Sequence, residues 1–557
     1  MHKVAFRAMW LMNWLWTLAL LTIVVCYEQY GIVITYKALF QSNQAVDVHD
    51  SIAALMHPVY GLLAIDFLCI AIMRIGTTKR VLMQRAGRLT FAVWLGAIVW
   101  LCAQGTLYRD VLNELSKFQR MGLLAYQVVA FAEERIPHLR PYKPNEPLTP
   151  DVIRSLKGLT KTPFLPKHYA QAQGKNVIVV QLESFQQFLI PLVIDGKSVT
   201  PHLQKLAQEA LVFPNIFQSI SQGNTVDAEF VINTSFYPPF SEASSHKYGQ
   251  KELPSLPRRL HERGYTSVTL HTNTASFWNR DALYPALGFD RYYDNTYFGN
   301  DDVIAFGPSD TVLYEKTLPI LTDLRASQRP FYAHVIAQSS HHPFRLPEHH
   351  RSFALPPAWE NTLVGRYVQS AHYVDEALGA FIADLKQTGL WDESIFVVYG
   401  DHFGLSPHSF DKKDQALLTW ALGHPYDFRT QFNVPLLIAA PGIAPRTVTQ
   451  VGGQIDIMPT LAALLGINVS EDFVFGQDLL IPSYNAVTSR FYMPKGSFID
   501  NNTLYWSGET FEEGRARALF TPNTPVALQR AHYDAFLHLL YLLSYNDDYL
   551  ESLPPRK

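Results

Sequence analysis

The stretch "SIFVVYGDHFG", residues 394–404, is a short, almost uninterrupted apolar run that ends on a carboxylate, Asp401, and an imidazole, His402, with Gly404 close behind. Runs of this kind, rich in Val, Ile and Phe without polar alternation, read as strands covered on both faces, the pattern of parallel sheets. Three other segments share the texture: "NVIVVQLESF" (176–185), "YTSVTLHTN" (265–273) and "PFYAHVIAQSSHHPF" (330–344). Between them lie segments with helical apolar spacing, "VTPHLQKLAQEA" (199–210) and "RYVQSAHYVDEALGAFIADLKQTG" (366–389), the second ending at Gly389. Strands alternating with helices predict an α/β domain, a mainly parallel sheet with helices on both faces.

Each of the four strands delivers a polar group where its apolar run stops: Glu183, His271, His341 or His342, and the pair Asp401–His402. Ligands of open parallel sheets bind beyond the carboxyl ends of the strands. Singly, each group has a plain structural explanation, Glu183 as a helix cap or His271 as a surface residue. Four coincident strand ends predict a divalent-cation site, and mixed carboxylate and imidazole donors suit Zn²⁺ or Mn²⁺ better than Ca²⁺.

A nucleophile is expected in "SISQGNTVDAEFVINTSFYP" (219–238), where a polar, Gly-containing loop runs into a helix start. Thr225 falls at the expected N-cap, near free backbone N–H groups that favour a phosphate or sulfate. A metal beside it would make its alkoxide accessible. "FWNRD" (277–281) supplies Arg280, suited to a bidentate phosphate contact, and Trp278, suited to walling a small polar headgroup. A surface salt bridge beside a packed aromatic is the simpler alternative for that pentapeptide.

Working outward, the chain has 557 residues, 48% of them hydrophobic, and a net charge of -3. With no basic block, nucleic acid is not an expected partner. All three cysteines, Cys26, Cys69 and Cys102, fall within the first 110 residues. An exported domain would therefore stand without disulfides. Apolar runs at 8–27, 52–73 and 89–107 each approach the roughly 20 residues that span a bilayer as helix. Arg74, Lys79, Arg80, Arg85 and Arg88 crowd the second connection, while Glu28, Asp47 and Asp50 against Lys37 mark the first. The positive-inside rule puts 74–88 and the N-terminus in the cytoplasm and everything beyond residue 110 outside. The segment 123–136 is expected to be helical, either interfacial or a plain connector, and Pro137, Pro141, Pro144, Pro147 and Pro150 follow it as a semi-rigid spacer. The expected division is 1–110 membrane helices, 111–174 interfacial helix and linker, 175–470 catalytic domain and 471–557 C-terminal subdomain. The apolar segment "RAHYDAFLHLLYLLSY" (530–545) is open to two readings, a helix of that subdomain or a fourth membrane segment.

Taken together, "VVQLESFQQFLI", "VTPHLQKLA", "SQGNTVDAEF", "FWNRD", "SSHHPF", "YVDEAL", "YGDHFG" and "GQIDIMPTLAALLGI" resemble the lipoteichoic acid synthase family of the alkaline phosphatase/sulfatase superfamily. They run in the family's order from about 176 to 480. The resemblance implies a membrane-anchored phosphoglycerol transferase that takes glycerophosphate from phosphatidylglycerol through a covalent Thr intermediate and releases diacylglycerol. It implies Glu183, Thr225, Asp401 and His402 as Mn²⁺ ligands (Mg²⁺ or Zn²⁺ as alternatives), with Thr225 also the nucleophile. His271, Trp278, Arg280 and His341 fall on headgroup-contacting positions, and His341 is also expected to move a proton. A glycerophosphate polymer, a glycolipid or a glucan is the implied acceptor, and the outer side of a bacterial cell (inner) membrane the implied location. The sequence departs from the family at Asn224, where Lys is frequent, at Asn273, where Asp is usual, and in showing three membrane runs rather than five.

Other readings have specific sequence marks. A sulfatase needs Cys or Ser in a Cys/Ser-x-Pro-x-Arg setting; "SLPRR" (255–259) is such a string, but a proline-started helix accounts for it. Phosphoethanolamine transferases resemble disulfide-stapled proteins, unlike this cysteine-free outer region. A metal phosphodiesterase would differ only in using water as acceptor. A non-catalytic lipid-binding regulator would be expected to lack one of the four ligands.

Overall fold

The computed structural model describes residues 2–31, 33–37, 52–53, 55–65, 67, 96–97, 99–101, 103–108, 110–135, 142–159, 166–521 and 524–556. They form two compact units, residues 1–141 and 142–557.

The first unit opens with helix α1, His2–Tyr30. Its segment Trp10–Glu28, 19 residues with a mean hydropathy of 1.6, is the one helix among the described residues long and apolar enough to cross a membrane. Within the 52–73 run, Pro58–Ala64 is a 3-10 turn opened by Pro58 after an extended His57, the backbone a proline imposes on its predecessor. Much of that run and of 89–107, with the basic segment 74–88, Cys69 and Cys102, lies outside the described residues. Helix α2, Glu114–Arg135, is broken at Gly122, whose φ of 75° only glycine adopts without strain. Met121, Ala125 and Val129 bury one stripe against Leu101 and Tyr108, while Leu124, Val128 and Phe131 face outward.

The second unit is built on an eight-stranded sheet. Its strands are β1 Asn176–Leu182, β2 Leu211–Val212, β3 Thr266–His271, β4 Arg291–Tyr293, β5 Phe331–Ile336, β6 Ser394–Gly400, β7 Leu436–Ala439 and β8 Arg446–Thr447. They lie in the order β8-β2-β7-β6-β1-β5-β3-β4. β7 alone runs against the rest, pairing antiparallel with both β6 and β2. The four strands read from sequence are adjacent and parallel, with β1 central: Val179 pairs His334 of β5 and Val397 of β6.

Side-chain alternation divides the sheet's two faces. Ile178, Val180 and Leu182 join Val268, Val335 and Val398 in a core closed by α3 (Asp310–Ala326) and α4 (Leu363–Gln387), through Leu313, Leu321, Val374 and Phe381. The opposite face carries Gln181, Tyr332, His334 and Tyr399, all buried. There the hydroxyl of Tyr332 donates to Asn233 Oδ1 at 2.8 Å, and Gln181 Nε2 donates to the carbonyl of Thr225 at 3.2 Å. A polar layer thus grips both ends of the helix Thr225–Thr234.

Beyond residue 480, strands Ala486–Val487, Phe498–Asp500, Thr503–Trp506, Arg515–Ala518 and Pro525–Val526 form an antiparallel sheet. The final helix, Arg530–Ser552, buries Phe536, Leu539, Leu543 and Leu550. Its Asn546 brackets Tyr237, accepting from that residue's N–H at 2.8 Å and donating to its carbonyl at 2.9 Å. Of the two readings of 530–545, the structure supports the packed helix of the outer unit. An amphipathic face turned into a core accounts for its apolar residues.

Candidate active site

The loops leaving β1 and β6 meet at the carboxyl edge of the sheet. After β1 the chain turns sharply at Ser184, whose φ is 52°. This presents the Ser184 N–H to Asp401 Oδ1 at 2.7 Å, and the same oxygen accepts from the His402 N–H at 2.6 Å. The carbonyl of Ser184 accepts from the Tyr367 hydroxyl at 2.7 Å. Gly400 and Gly404 follow from this packing: a Cβ on the first would strike the Phe185 carbonyl, and on the second the Ser184 carbonyl and the Tyr367 ring. Gln454 closes the edge, donating to the carbonyls of Gly400 at 2.8 Å and Asp401 at 2.6 Å while accepting from Ser219 N–H at 2.9 Å.

Thr225 is the first residue of its helix, one position inside the N-cap expected for it. Asn224, with φ 43°, occupies the cap position and makes no side-chain cap. Its amide oxygen instead accepts from the Tyr492 hydroxyl. The Thr225 hydroxyl is therefore free of a capping role and donates to Glu183 Oε2 at 3.1 Å, 3.5 Å from His402 Nε2. Asp227 shapes the loop before it. Its carboxylate accepts from the N–H groups of Ser221, Gly223 and Ser244 at 3.1, 2.8 and 2.9 Å, and from the Ser244 hydroxyl at 2.7 Å. No side chain fits at Gly223, where a Cβ would collide with that carboxylate. Burial pushes the Asp227 carboxyl up to about 6, against those hydrogen bonds.

Glu183, Asp401 and His402 are buried, and one ligand atom from each lies within 4.8 Å of the others. Burial and then the Glu183 charge push the Asp401 carboxyl well above the usual range. Burial also raises Glu183, but the imidazoles of His402 and His341 and the Ser184 hydroxyl pull its net direction down. Two carboxylates this close in a dry site do not both ionise unless a cation joins them. His402 donates Nδ1–H to the Phe403 carbonyl at 2.9 Å, which turns a Nε2 lone pair toward the carboxylates. Burial holds its pKa below the ordinary histidine value, so the ring is neutral at pH 7. Asp401 Oδ2 is buried without a hydrogen-bond partner. An orphaned carboxylate oxygen, a second carboxylate, a neutral imidazole and a hydroxyl on one small volume fit a divalent ion of the Mn²⁺ or Zn²⁺ type.

The expected headgroup residues lie on the neighbouring strand ends. His271, the last residue of β3, is buried and donates Nδ1–H to the Ile336 carbonyl at 2.9 Å. Burial, reinforced by the Arg280 charge, holds it well below the ordinary histidine pKa. His341 packs edge-on against Phe306 at 4.4 Å, and Phe306 lies 5.7 Å from Phe277, which in turn meets Trp278 at 5.9 Å. Trp278 is half-buried, with a left-handed φ of 59°. Arg280 differs from its sequence reading. Its fork is occupied by Glu229, with Nε and Nη2 donating to Oε1 at 3.0 and 2.7 Å, leaving Nη1 directed at the Phe277 carbonyl at 3.4 Å. The pair is fully buried, neither a free phosphate clamp nor a surface salt bridge. "SLPRR" is indeed a helix start: Ser255 caps Leu256–His261, accepting from the Arg258 N–H.

Ser184, Asp227, Glu229, Tyr367 and Gln454 escaped individual assignment in the sequence. The one signal for four of them was their place inside the "LESF", "DAEF" and "GQID" strings, and Tyr367 lay unmarked near the start of the helical segment 366–389.

Residues 175–467 match the Sulfatase family, and residues 1–129 match the Lipoteichoic acid synthase N-terminal domain. Lipoteichoic acid synthase 2 of Bacillus subtilis is 36% identical over 358 residues, 63% of this chain and 54% of that protein. Lipoteichoic acid synthase of Staphylococcus aureus (strain NCTC 8325) is 35% identical over 353 residues, 62% of this chain and 53% of that protein. The matched region therefore spans about half the length of these curated relatives. The crystal structure of the lipoteichoic acid synthase LtaP from Listeria monocytogenes superposes with a TM-score of 0.70 at 38% identity, covering 74% of this chain and all of that one (100%).

Proposed function

The chain belongs to the lipoteichoic acid synthase family of the alkaline phosphatase/sulfatase superfamily, and from that membership we propose that it is a membrane-anchored phosphoglycerol transferase drawing on phosphatidylglycerol. The observation that carries this reading is the convergence of Thr225 Oγ1 on Glu183 Oε2 at 3.1 Å and His402 Nε2 at 3.5 Å, beside the orphaned Asp401 Oδ2. Glu183, Thr225, Asp401 and His402 would hold the ion, proposed as Mn²⁺. When bound, it lowers the pKa of the hydroxyl and offsets charge on the phosphate.

The protein's own groups do the rest. Thr225 Oγ1, as the alkoxide, forms the bond to phosphorus while the bond from phosphorus to the diacylglycerol oxygen breaks, and it leaves again as the alkoxide when the acceptor displaces it. His341 gives the departing oxygen its proton, then takes one from the incoming acceptor hydroxyl as that oxygen displaces Thr225. His271 Nε2 and Trp278 line the glycerol side, and Arg280 lends its charge from beneath. The helix Thr225–Thr234, held by Gln181 and Tyr332, fixes the nucleophile's approach. In this reading α1 anchors the chain, 175–470 is the catalytic domain and 471–557 completes it on the outer face of the cell membrane. The acceptor is a glycerophosphate polymer, a glycolipid or a glucan.

The test is labelled phosphatidylglycerol in detergent with the full chain, with Mn²⁺ or with chelator. Metal-dependent diacylglycerol release with label retained on protein or acceptor is expected. Free glycerophosphate as the sole labelled product would instead make the protein a phosphodiesterase.

A further inference from the structure

Away from that centre, a second set of metal-ligating side chains comes together. Asp302 precedes the short strand Val303–Ile304, and His349 and His350 sit in the 3-10 turn Glu348–His350. One ligand atom from each lies within 4.8 Å of the others. His350 Nε2 is 2.8 and 2.9 Å from the two oxygens of Asp302, and His349 Nε2 is 3.4 Å from Oδ1.

We propose that Asp302, His349 and His350 form a second divalent-metal site, of Zn²⁺ type, distinct from the Thr225 centre. Two imidazoles and one carboxylate are a frequent three-ligand zinc set, with water as the remaining ligand. Consecutive histidines ordinarily diverge, yet both rings here turn Nε2 toward one carboxylate, with ring centroids 4.1 Å apart. The surroundings hold two of the three ligands in place. The Ser309 hydroxyl donates to Asp302 Oδ2 at 2.6 Å, and the His350 ring packs 4.6 Å from Tyr373. A plain ion pair would need neither the second imidazole nor the support of the first.

The ligands come from two segments that both reach His341. Asp302 lies four residues before Phe306, whose ring packs on His341 at 4.4 Å, and His349 and His350 close the segment that His341 opens. A metal at this point ties the two together and holds Phe306 against His341. The role is structural: the site positions His341 and takes no part in bond making.

The full chain in detergent, stripped with chelator, is dialysed against Zn²⁺ and its metal content measured by mass spectrometry. Wild type is expected to hold two equivalents, His349→Gln/His350→Gln one, and Asp401→Asn/His402→Gln one. Co²⁺ loaded into the Asp401→Asn/His402→Gln protein should give visible d–d bands that His349→Gln abolishes. Zn²⁺ should raise the melting temperature of that protein and leave the protein lacking both sets unmoved. Retention of two equivalents by His349→Gln/His350→Gln, or none in the Asp401→Asn/His402→Gln protein with its fold intact by circular dichroism, would overturn the proposal.

Discussion

Arg280 and Glu229 form a buried bidentate ion pair, with Arg280 Nη2 2.7 Å and Nε 3.0 Å from Glu229 Oε1 and the Tyr284 hydroxyl 2.5 Å from Oε2. The pair joins the "FWNRD" loop to the helix that begins at Thr225. Burial pulls the Arg280 pKa down, but the facing carboxylate raises it overall, so the guanidinium is charged at every working pH. Removing one partner strands the other charge in a dry site, at a cost of roughly 3–5 kcal/mol. Glu229→Ala is therefore expected to lower the melting temperature sharply, and Glu229→Ala/Arg280→Met to lose less than the sum of the single changes. Thermal unfolding of the four proteins measures the coupling.

Thr225→Ala should abolish transfer while sparing the fold, because the hydroxyl caps nothing and its helix is held from the sheet by Gln181 and Tyr332. A fall of about 10³-fold or more is expected when a covalent nucleophile is removed. Thr225→Ser, which keeps the hydroxyl, should retain measurable diacylglycerol release. Equal activity of Thr225→Ala and wild type would remove Thr225 from the chemistry.

Acid should destabilise the outer unit through its buried imidazoles. Burial holds His334 down to about 3 and, with the nearby His341 charge, His342 also to about 3. These folded values lie below the unfolded one near 6.5, so between pH 6.5 and 3 the unfolded chain binds protons that the folded chain refuses. Their contribution is complete above pH 6.5 and is lost as pH falls toward 3. Asp227 and Asp310, pushed by burial up to about 6, act in the opposite sense, losing stability as pH rises from 3.8 through 6. His334→Gln removes one imidazole and leaves the aspartates. The drop in melting temperature between pH 7.5 and 5 should therefore be smaller in His334→Gln than in wild type. An identical drop would show that His334 does not titrate in this window.

The parts of this architecture that depend on local pattern were readable in the chain. Buried parallel strands are apolar runs, and the groups that end them, Glu183, His271 and Asp401–His402, stand where those runs stop. What escaped depends on contacts between distant segments. Asn224 sits in the cap position that Thr225 was expected to fill, and its partner Tyr492 is 268 residues away. Asp227 looks like an ordinary first-turn acid until the loop 221–223 wraps around it. Arg280 reads as a free fork because nothing in "FWNRD" points to Glu229. The apolar run at 536–543 within the helix Arg530–Ser552 is open, from sequence alone, to a core or a membrane reading. The burial of Leu539, Leu543 and Leu550, and of Asn546 against Tyr237, shows that its surroundings are protein.

Gly404, at the end of the opening motif, makes the sharpest test of how the strand end is built. A Cβ there would meet the Ser184 carbonyl and the Tyr367 ring, both fixed: Tyr367 donates to that carbonyl at 2.7 Å and also accepts from the Gln186 N–H at 3.2 Å. Neither neighbour is the mobile end of a long side chain, so Gly404→Ala must displace the Ser184 turn. That turn supplies the N–H holding Asp401 Oδ1 at 2.7 Å, and its displacement rotates the carboxylate whose other oxygen faces the proposed ion. Overpacking of this kind costs roughly 1–3 kcal/mol, within the margin of a large folded unit. The loss of an outer support typically weakens metal binding by about 10–100-fold. Gly404→Ala should therefore fold, bind Mn²⁺ about 10–100-fold more weakly in calorimetric titration, and recover activity at high Mn²⁺. Unchanged affinity would mean that the Ser184 turn does not orient Asp401.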